Sequence, residues 1–236
     1  MILLAFETAT EACSVALWND GAVLERFELA PRRHAELALP WAEALLAEAG
    51  IARAQLDAVA VGRGPGAFTG VRLAIALAQG IALALDRPVV PVSTLAALAM
   101  RAAPGRLEPV RILAAIDARM GEVYSGAFRR ADGRLSALSA ESVAGPGQVP
   151  LPDDAPGWWG AGTGFAAVEG ALSTRLGPRM SGIDAAALPR AGDVARLAAP
   201  ELEAGRAIAP ERVEPAYLRD RVALTSAEQQ ARRAAD

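Results

Sequence analysis

Two acidic residues stand at the ends of apolar segments that repeat each other along the chain. Residues 2–7 read ILLAFE and residues 112–117 read ILAAID, so Glu7 and Asp117 occupy the same place in the two copies. Each acid is followed by a short polar loop, a second apolar segment and an Asp-Gly turn. Carboxylates and hydroxyl groups in such loops can hold a divalent metal and a phosphate group. The repeat therefore predicts two related lobes, each of which opens with a strand that ends in an acid.

Both loops carry side chains that are unfavourable for binding a nucleotide. The first loop reads ETATE, so two carboxylates stand where a polyphosphate would pass, and the second reads DARM, with two bulky side chains. We therefore interpret them as degenerate phosphate loops, and we predict no catalytic residue and no metal ligand in this chain. The loop residues concerned are Glu7, Thr8, Thr10, Asp117 and Arg119.

A glycine-rich loop follows the short apolar strand VAV and contains Gly64, Gly66 and Gly70. Strand, glycine loop and helix can aim backbone N–H groups at an anion, but an ordinary tight connection has the same layout. The spacing does not fit the dinucleotide fingerprint G-x-G-x-x-G. A Walker A loop has Lys after its last glycine, whereas this chain has Val and then Arg72. We interpret the glycines as structural and predict Thr69 as the N-cap of the following helix.

The composition limits the classes of protein to which the chain can belong. A chain of 236 residues can bury a sizeable core, and its net charge of −3 argues against a protein that grips nucleic acid by itself. One cysteine and one histidine cannot make a disulfide or a usual zinc site, and we predict that Cys13 is a small buried residue. The longest uncharged apolar stretch, residues 73–85, is short for a membrane span. We expect a soluble, cytoplasmic protein.

Apolar periodicity predicts that each half opens with antiparallel strands and continues with helices. In the first half we predict strands at 2–6, 12–18, 23–29, 56–61 and 88–92 and helices at 33–49, 70–85 and 94–102. In the second half we predict strands at 112–117, 122–128 and 135–143 and helices at 165–172 and 191–199. Pro40 is expected to kink or divide the first helix.

The duplicated pattern predicts the architecture that actin, sugar kinases and heat-shock ATPases share. This fold class is α/β: an actin-like/sugar-kinase-like (ASKHA) two-lobed fold built from duplicated ribonuclease H-like units. We assign residues 1–105 to the first lobe, 106–222 to a more degenerate second lobe and 223–236 to a tail. A late helix could pack back on the first lobe.

Six segments follow one another in a distinctive order and spacing. They are ILLAFETATEACSVALWNDG, RRHAELALP, GRGPGAFTGVRLAIALAQGIA, PVVPVSTLAAL, IDARMGEVYSGAF and, near the end, PAYLRDRVA. In these segments the chain resembles the TsaB family, also called YeaZ. The resemblance is dense over residues 1–128 and sparse afterwards, and GPGAFTGVR is its most distinctive part.

The resemblance implies a bacterial subunit that is needed to form threonylcarbamoyladenosine in tRNA, beside the anticodon. In that family TsaB is not the catalyst: it pairs with its paralogue TsaD, which carries the metal and the active site, and the ATPase TsaE joins them. TsaD-like proteins have two metal-binding histidines after the strand that corresponds to residues 88–92, where this chain reads STLAAL. The resemblance therefore implies no cofactor on this chain, ATP and metal on the partner subunits, and tRNA contact only through the complex.

The resemblance also implies a partner surface on the two long helices, which would pack against those of TsaD, or of a second copy when TsaD is absent. Both helices carry more apolar residues than one face against a sheet requires, and the second has a row of small residues. The candidate interface residues are His34, Leu37, Trp41, Ala76, Leu77, Gly80 and Ala84. The alternative is that the second helix is buried between the sheet and the first helix.

Two other functions are alternatives to a partner subunit. An independent ATPase or small-molecule kinase is favoured by the general architecture but opposed by the two loops. A peptidase, an old label for this superfamily, is not supported, because the sequence shows neither a metal set nor a nucleophile–base pair.

Overall fold

The computed structural model describes residues 1–219, so the predicted tail at 223–236 lies outside the described residues. The strands of the first lobe are β1 (Ile2–Glu7), β2 (Ala12–Asn19), β3 (Ala22–Leu29), β4 (Ala58–Gly62) and β5 (Val89–Val92). They form one sheet in the order β3-β2-β1-β4-β5. The first three make an antiparallel meander, whereas β4 and β5 run parallel to β1 because helical connections precede them.

The second lobe repeats this arrangement. Its strands are β6 (Val110–Arg119), β7 (Glu122–Ala131), β8 (Arg134–Ala137), β9 (Ser142–Ala144), β10 (Trp158–Ala161) and β11 (Met180–Asp184). The sheet order is β8-β7-β6-β10-β11, with β9 paired to β7. Strands β6, β7 and β8 form an antiparallel meander, and β10 and β11 run parallel to β6. The second sheet therefore has the same connectivity as the first. The two-lobed, duplicated α/β fold is confirmed.

Parts of the second sheet differ from the sequence-based prediction. The segments WWGA and MSGID form β10 and β11, which we did not predict because tryptophan and glycine hide the alternation that identifies a strand. The single strand predicted at 135–143 is wrong, since the chain divides there into β8 and β9. Between them, the N–H of Leu138 donates to the carbonyl of Ala127, and the hydroxyl of Ser139 accepts from the N–H of Ala127.

Five α-helices lie within residues 1–219. They are α1 (His34–Ala49), α2 (Phe68–Leu85), α3 (Thr94–Arg101), α4 (Ala167–Leu176) and α5 (Ala191–Glu203). α1 runs unbroken through Pro40, which is exposed, so the helix is not divided there. The range predicted for α4, 165–172, is wrong because residues 168–170 have φ between 51° and 74°, and the regular turns come later.

Two of the helices pack on the sheet of the other lobe. α1 and α2 cover one face of the first sheet, and α5, which comes late in the chain, covers the opposite face. α3 follows β5 in the chain but packs on the second sheet. Arg130 of β7, 8% exposed, donates from Nη1 to the carbonyls of Met100 and Ala102 at the end of α3. Each lobe therefore contributes to the other's core.

α2 buries one side and leaves another open. Its buried residues are Gly70, Val71, Ala74, Ile75, Ala78 and Ala82, most of them small. By length and composition alone it could cross a membrane, since its 18 residues have a mean hydropathy of 1.7. Its buried side packs on β4 and β1 of the first lobe. The core also contains Cys13, whose thiol has a pKa raised to about 11 by burial, as expected for a buried residue.

Candidate functional site

The acid of the first loop is turned into the protein. Glu7 is 1% exposed, and its Oε1 accepts from the N–H of Ala9 (2.8 Å) while its Oε2 accepts from the hydroxyl of Thr94 (2.9 Å). A Cβ added to Gly62 would lie 2.0 Å from Oε2, so the glycine makes room for the carboxyl group. Our prediction that the carboxylate of Glu7 stands where a polyphosphate would pass is therefore wrong, because this side chain fills a pocket of its own lobe.

Burial raises the pKa of Glu7 from 4.5 to about 7, although its hydrogen bonds to Ala9, Thr94 and Thr8 oppose the shift. A carboxyl group whose pKa is higher in the folded state stabilises the fold most at low pH. This contribution is complete below about pH 4.5 and is lost as the pH rises through about 7.

Glu7→Gln is therefore expected to change how stability depends on pH. Glutamine has the same shape but does not ionise, so the variant should gain stability relative to the parent between pH 5 and 8. The gain is on the order of 3 kcal/mol for a pKa shift of this size. Urea unfolding of both proteins at pH 5 and pH 8 measures it. Equal differences at the two pH values would contradict an ionisable, buried Glu7.

The glycine loop is shaped by contact with the first loop. A Cβ on Gly66 would lie 2.3 Å from the carbonyl oxygen of Ala9, and one on Gly70 would lie 2.0 Å from that of Thr8. The N–H of Ala67 donates to the same carbonyl of Ala9 (2.7 Å), and the hydroxyl of Thr8 donates to the carbonyl of Gly70 (2.7 Å). Gly66 and Gly70 are thus needed where two backbones meet.

The start of α2 differs from the prediction in one respect. Thr69 is not the N-cap: the helix starts at Phe68, and Ala67 is the N-cap without a side-chain hydrogen bond. The helix therefore starts two residues earlier than the sequence suggested, next to the hydrogen bond from the N–H of Ala67 to the first loop. Gly64, by contrast, has φ of 93°, a left-handed conformation that favours glycine.

A cleft of about 600 Å³ separates the two loops. Thr10 lines it on one side, and Asp117 and Arg119 line it on the other. The carboxylate of Asp117 is engaged by its own loop, since it accepts from the backbone N–H of Arg119 (2.8 Å) and from Nη1 of the same residue (2.9 Å). Within residues 1–219, no three His, Cys, Asp or Glu side chains are grouped so that they could hold a metal ion.

The end of the described chain crosses this cleft. The N–H of Ala216 donates to the carbonyl of Arg63 in the first lobe (2.8 Å), and Nη2 of Arg219 donates to the carbonyl of Ala118 in the second (3.1 Å). Arg72 lies 3.3 Å from the ring centroid of Phe68 and also contacts Tyr217. The protein's own chain and side chains therefore occupy part of the space between the lobes.

A groove of about 280 Å³ runs between α1 and α2. Apolar residues of both helices line it, among them Leu39, Leu46, Gly80, Ile81, Ala84 and Leu85. The row Ala76, Gly80 and Ala84 is exposed, and a Cβ on Gly80 would meet nothing within 4 Å. The alternative that α2 is buried between the sheet and α1 is therefore wrong for this row.

The other predicted interface residues lie in different surroundings. Leu37, Trp41 and Leu77 are half-buried and pack against the core of the first lobe. His34 lies at the cleft, where its Nε2 donates to the carbonyl of Thr10 (3.0 Å). Leu39 and Leu83, 44% and 62% exposed, were not among our candidates. The helical periodicity places both residues on the outer sides of their helices, and this signal could have identified them.

Comparison with known proteins places this arrangement in a family. Residues 27–226 match the model of the TsaD family, described as tRNA N6-adenosine threonylcarbamoyltransferase. The tRNA threonylcarbamoyladenosine biosynthesis protein TsaB of Escherichia coli is 42% identical, and the alignment covers 94% of this chain and 96% of that protein. The chain belongs to the TsaB family. The TsaB of Haemophilus influenzae is 39% identical over 94% of the chain and 95% of that protein.

Solved structures support membership of the TsaB family. YeaZ from Pseudomonas aeruginosa is 46% identical, with a TM-score of 0.83 over 92% of this chain and 99% of that one. A second structure from that organism, described as an uncharacterized protein with similarity to peptidase YEAZ, is 47% identical with a TM-score of 0.85. The match to the TsaD family model extends over both lobes of this chain. The resemblance found in the sequence is confirmed.

Proposed function

We propose that this chain is a non-catalytic partner subunit in the formation of threonylcarbamoyladenosine in tRNA, and acts as a dimerisation scaffold for a TsaD-like catalytic subunit. The observation that carries the proposal is the open row Ala76, Gly80 and Ala84 beside the groove between α1 and α2. Small residues let a second helix approach closely, and exposed apolar patches of this kind mark interaction surfaces. The names of the relatives from Escherichia coli and Haemophilus influenzae support a role in the biosynthesis of threonylcarbamoyladenosine in tRNA.

The partners that we propose are those that the resemblance to the family implies. We propose that a TsaD-like subunit covers the helix pair, that a TsaE-like ATPase joins the complex, and that ATP and metal are bound by those subunits. Without the TsaD-like subunit, a second copy of this chain covers the same face as a homodimer. The tRNA is contacted through the complex, in the cytoplasm, and the net charge of −3 is consistent with weak binding of nucleic acid by the chain alone.

An independent ATPase or small-molecule kinase is the alternative, and the two loops argue against it. A phosphate loop presents free N–H groups and a metal-binding carboxylate to the cleft. Here Glu7 is buried away from the cleft, and Asp117 is bonded to Arg119 of its own loop. The first loop also contacts the backbone of the glycine loop, which would have to separate before a phosphate could enter.

The isolated chain is therefore expected neither to bind Mg-ATP tightly nor to hydrolyse it. Calorimetric titration of the purified chain with Mg-ATP at moderate concentrations should give no binding heat, and a phosphate-release assay should show no turnover. A TsaE-like ATPase measured in the same assays is the positive control. A micromolar dissociation constant for this chain would overturn the non-catalytic assignment and favour the kinase alternative.

A further inference from the structure

The first loop contacts the N-terminal ends of both helices that form the proposed partner surface. Thr8 and Ala9 bond the start of α2, through the carbonyl of Gly70 and the N–H of Ala67. Thr10 bonds the start of α1, because its carbonyl accepts from Nε2 of His34. The helices have no side-chain N-cap of their own. Their ends are instead held by three consecutive residues of one loop.

The side chain of Glu7 anchors this loop through two hydrogen bonds. The carboxyl group of Glu7 joins the N–H of Ala9 to the hydroxyl of Thr94, which lies at the start of α3. Thr8 is 0% exposed, and the close approaches of Gly66 and Gly70 leave no space for the loop to move towards α2. The loop is therefore a rigid support rather than a surface segment.

We propose that the first loop acts as a brace that sets the position of α1 and α2 and so prepares the groove between them for a partner helix, with Thr8 as a positioning residue. This inference rests on the proposed function. A groove that is already formed loses less conformational freedom when a partner binds, and binding is tighter by that amount. The loop that stands in the place of a phosphate-binding loop thus serves to position these two helices.

Thr8 is suited to a test because it is buried and cannot touch a partner. Thr8→Val keeps the shape and removes the hydrogen bond to Gly70, and Thr8→Ser keeps the hydroxyl. Thr163→Val is the matched control, since it removes one hydrogen bond, from the N–H of Asp117 (3.1 Å), in the corresponding part of the second lobe. Self-association of each protein is measured by sedimentation, and local opening by amide hydrogen exchange.

Thr8→Val should weaken self-association by up to about fivefold, because the lost hydrogen bond lies within one protomer and affects association only through the ordering of α2. Hydrogen exchange should become faster in the first turn of α2 but not in the second lobe. Thr8→Ser and Thr163→Val should associate like the parent. Unchanged association of Thr8→Val, or faster exchange throughout both lobes, would overturn the inference. If the parent itself stays monomeric, the proposed function fails, and unchanged exchange in the first turn of α2 would then overturn the brace separately.

Discussion

Gly80→Trp is expected to leave the chain folded and to abolish its self-association. Gly80 is exposed on α2 beside the groove, and nothing lies within 4 Å of the position where its Cβ would stand. An indole ring therefore has room in the monomer, but it prevents another helix from approaching the row of small residues. The expected loss of affinity is at least a hundredfold, or about 3 kcal/mol. Sedimentation velocity and circular dichroism measure association and folding in the same samples.

Gly147→Trp is the matched control for this variant. Gly147 is also exposed with nothing within 4 Å of an added Cβ, but it lies in a loop of the second lobe, away from α1 and α2. It should associate like the parent, so that a nonspecific effect of an exposed indole can be recognised. If Gly80→Trp unfolds, or if it still associates like the parent, the proposed interface is wrong.

Gly70→Ala is expected to destabilise the fold strongly for the addition of a single methyl group. The new Cβ would stand 2.0 Å from the carbonyl oxygen of Thr8, a backbone atom of a buried loop that cannot give way cheaply. Crowding of this kind costs about 1–3 kcal/mol or more. For a chain of this size each kcal/mol lowers the melting temperature by roughly 2–4 °C. Thermal unfolding measures the effect.

Gly80→Ala is the control with the opposite expected sign. It makes the same substitution in the same helix, but at an open position, where alanine is favoured over glycine by up to about 1 kcal/mol. Its melting temperature should rise or stay unchanged. Should Gly70→Ala melt like Gly80→Ala, the close approach between the first loop and α2 would not exist in solution.

The sequence predicted much of the fold because its strongest patterns are local. The two copies of strand, acid, loop and hairpin identified the duplicated lobes, and the apolar stripes identified α1 and α2 to within a few residues. The strands β10 and β11 were missed because they are short and contain tryptophan and glycine rather than alternating apolar residues. The start of α2 was displaced because the helix begins at Phe68, next to the hydrogen bond from the N–H of Ala67 to Ala9, so that Thr69 lies inside the helix.

The candidate site was less predictable, since it depends on the orientation of individual side chains. The sequence shows that the first loop is acidic, but not that Glu7 turns inward to bond Thr94, a residue far along the chain. It shows a glycine-rich loop, but not that Gly66 and Gly70 meet the backbone of the first loop. The row of small residues on α2 could be read from the sequence, whereas only the packing shows that it is exposed.

Capture of a TsaD-like subunit tests the central claim, that this chain is a partner subunit, most directly. The chain, with an affinity tag, is co-expressed with the TsaD-like protein of the same organism, and the purified material is assayed for threonylcarbamoylation of tRNA with the TsaE-like protein added. We predict that the chain captures the TsaD-like subunit and supports modification, and that Gly80→Trp does neither. Modification at the full rate by the TsaD-like subunit without this chain would contradict the account.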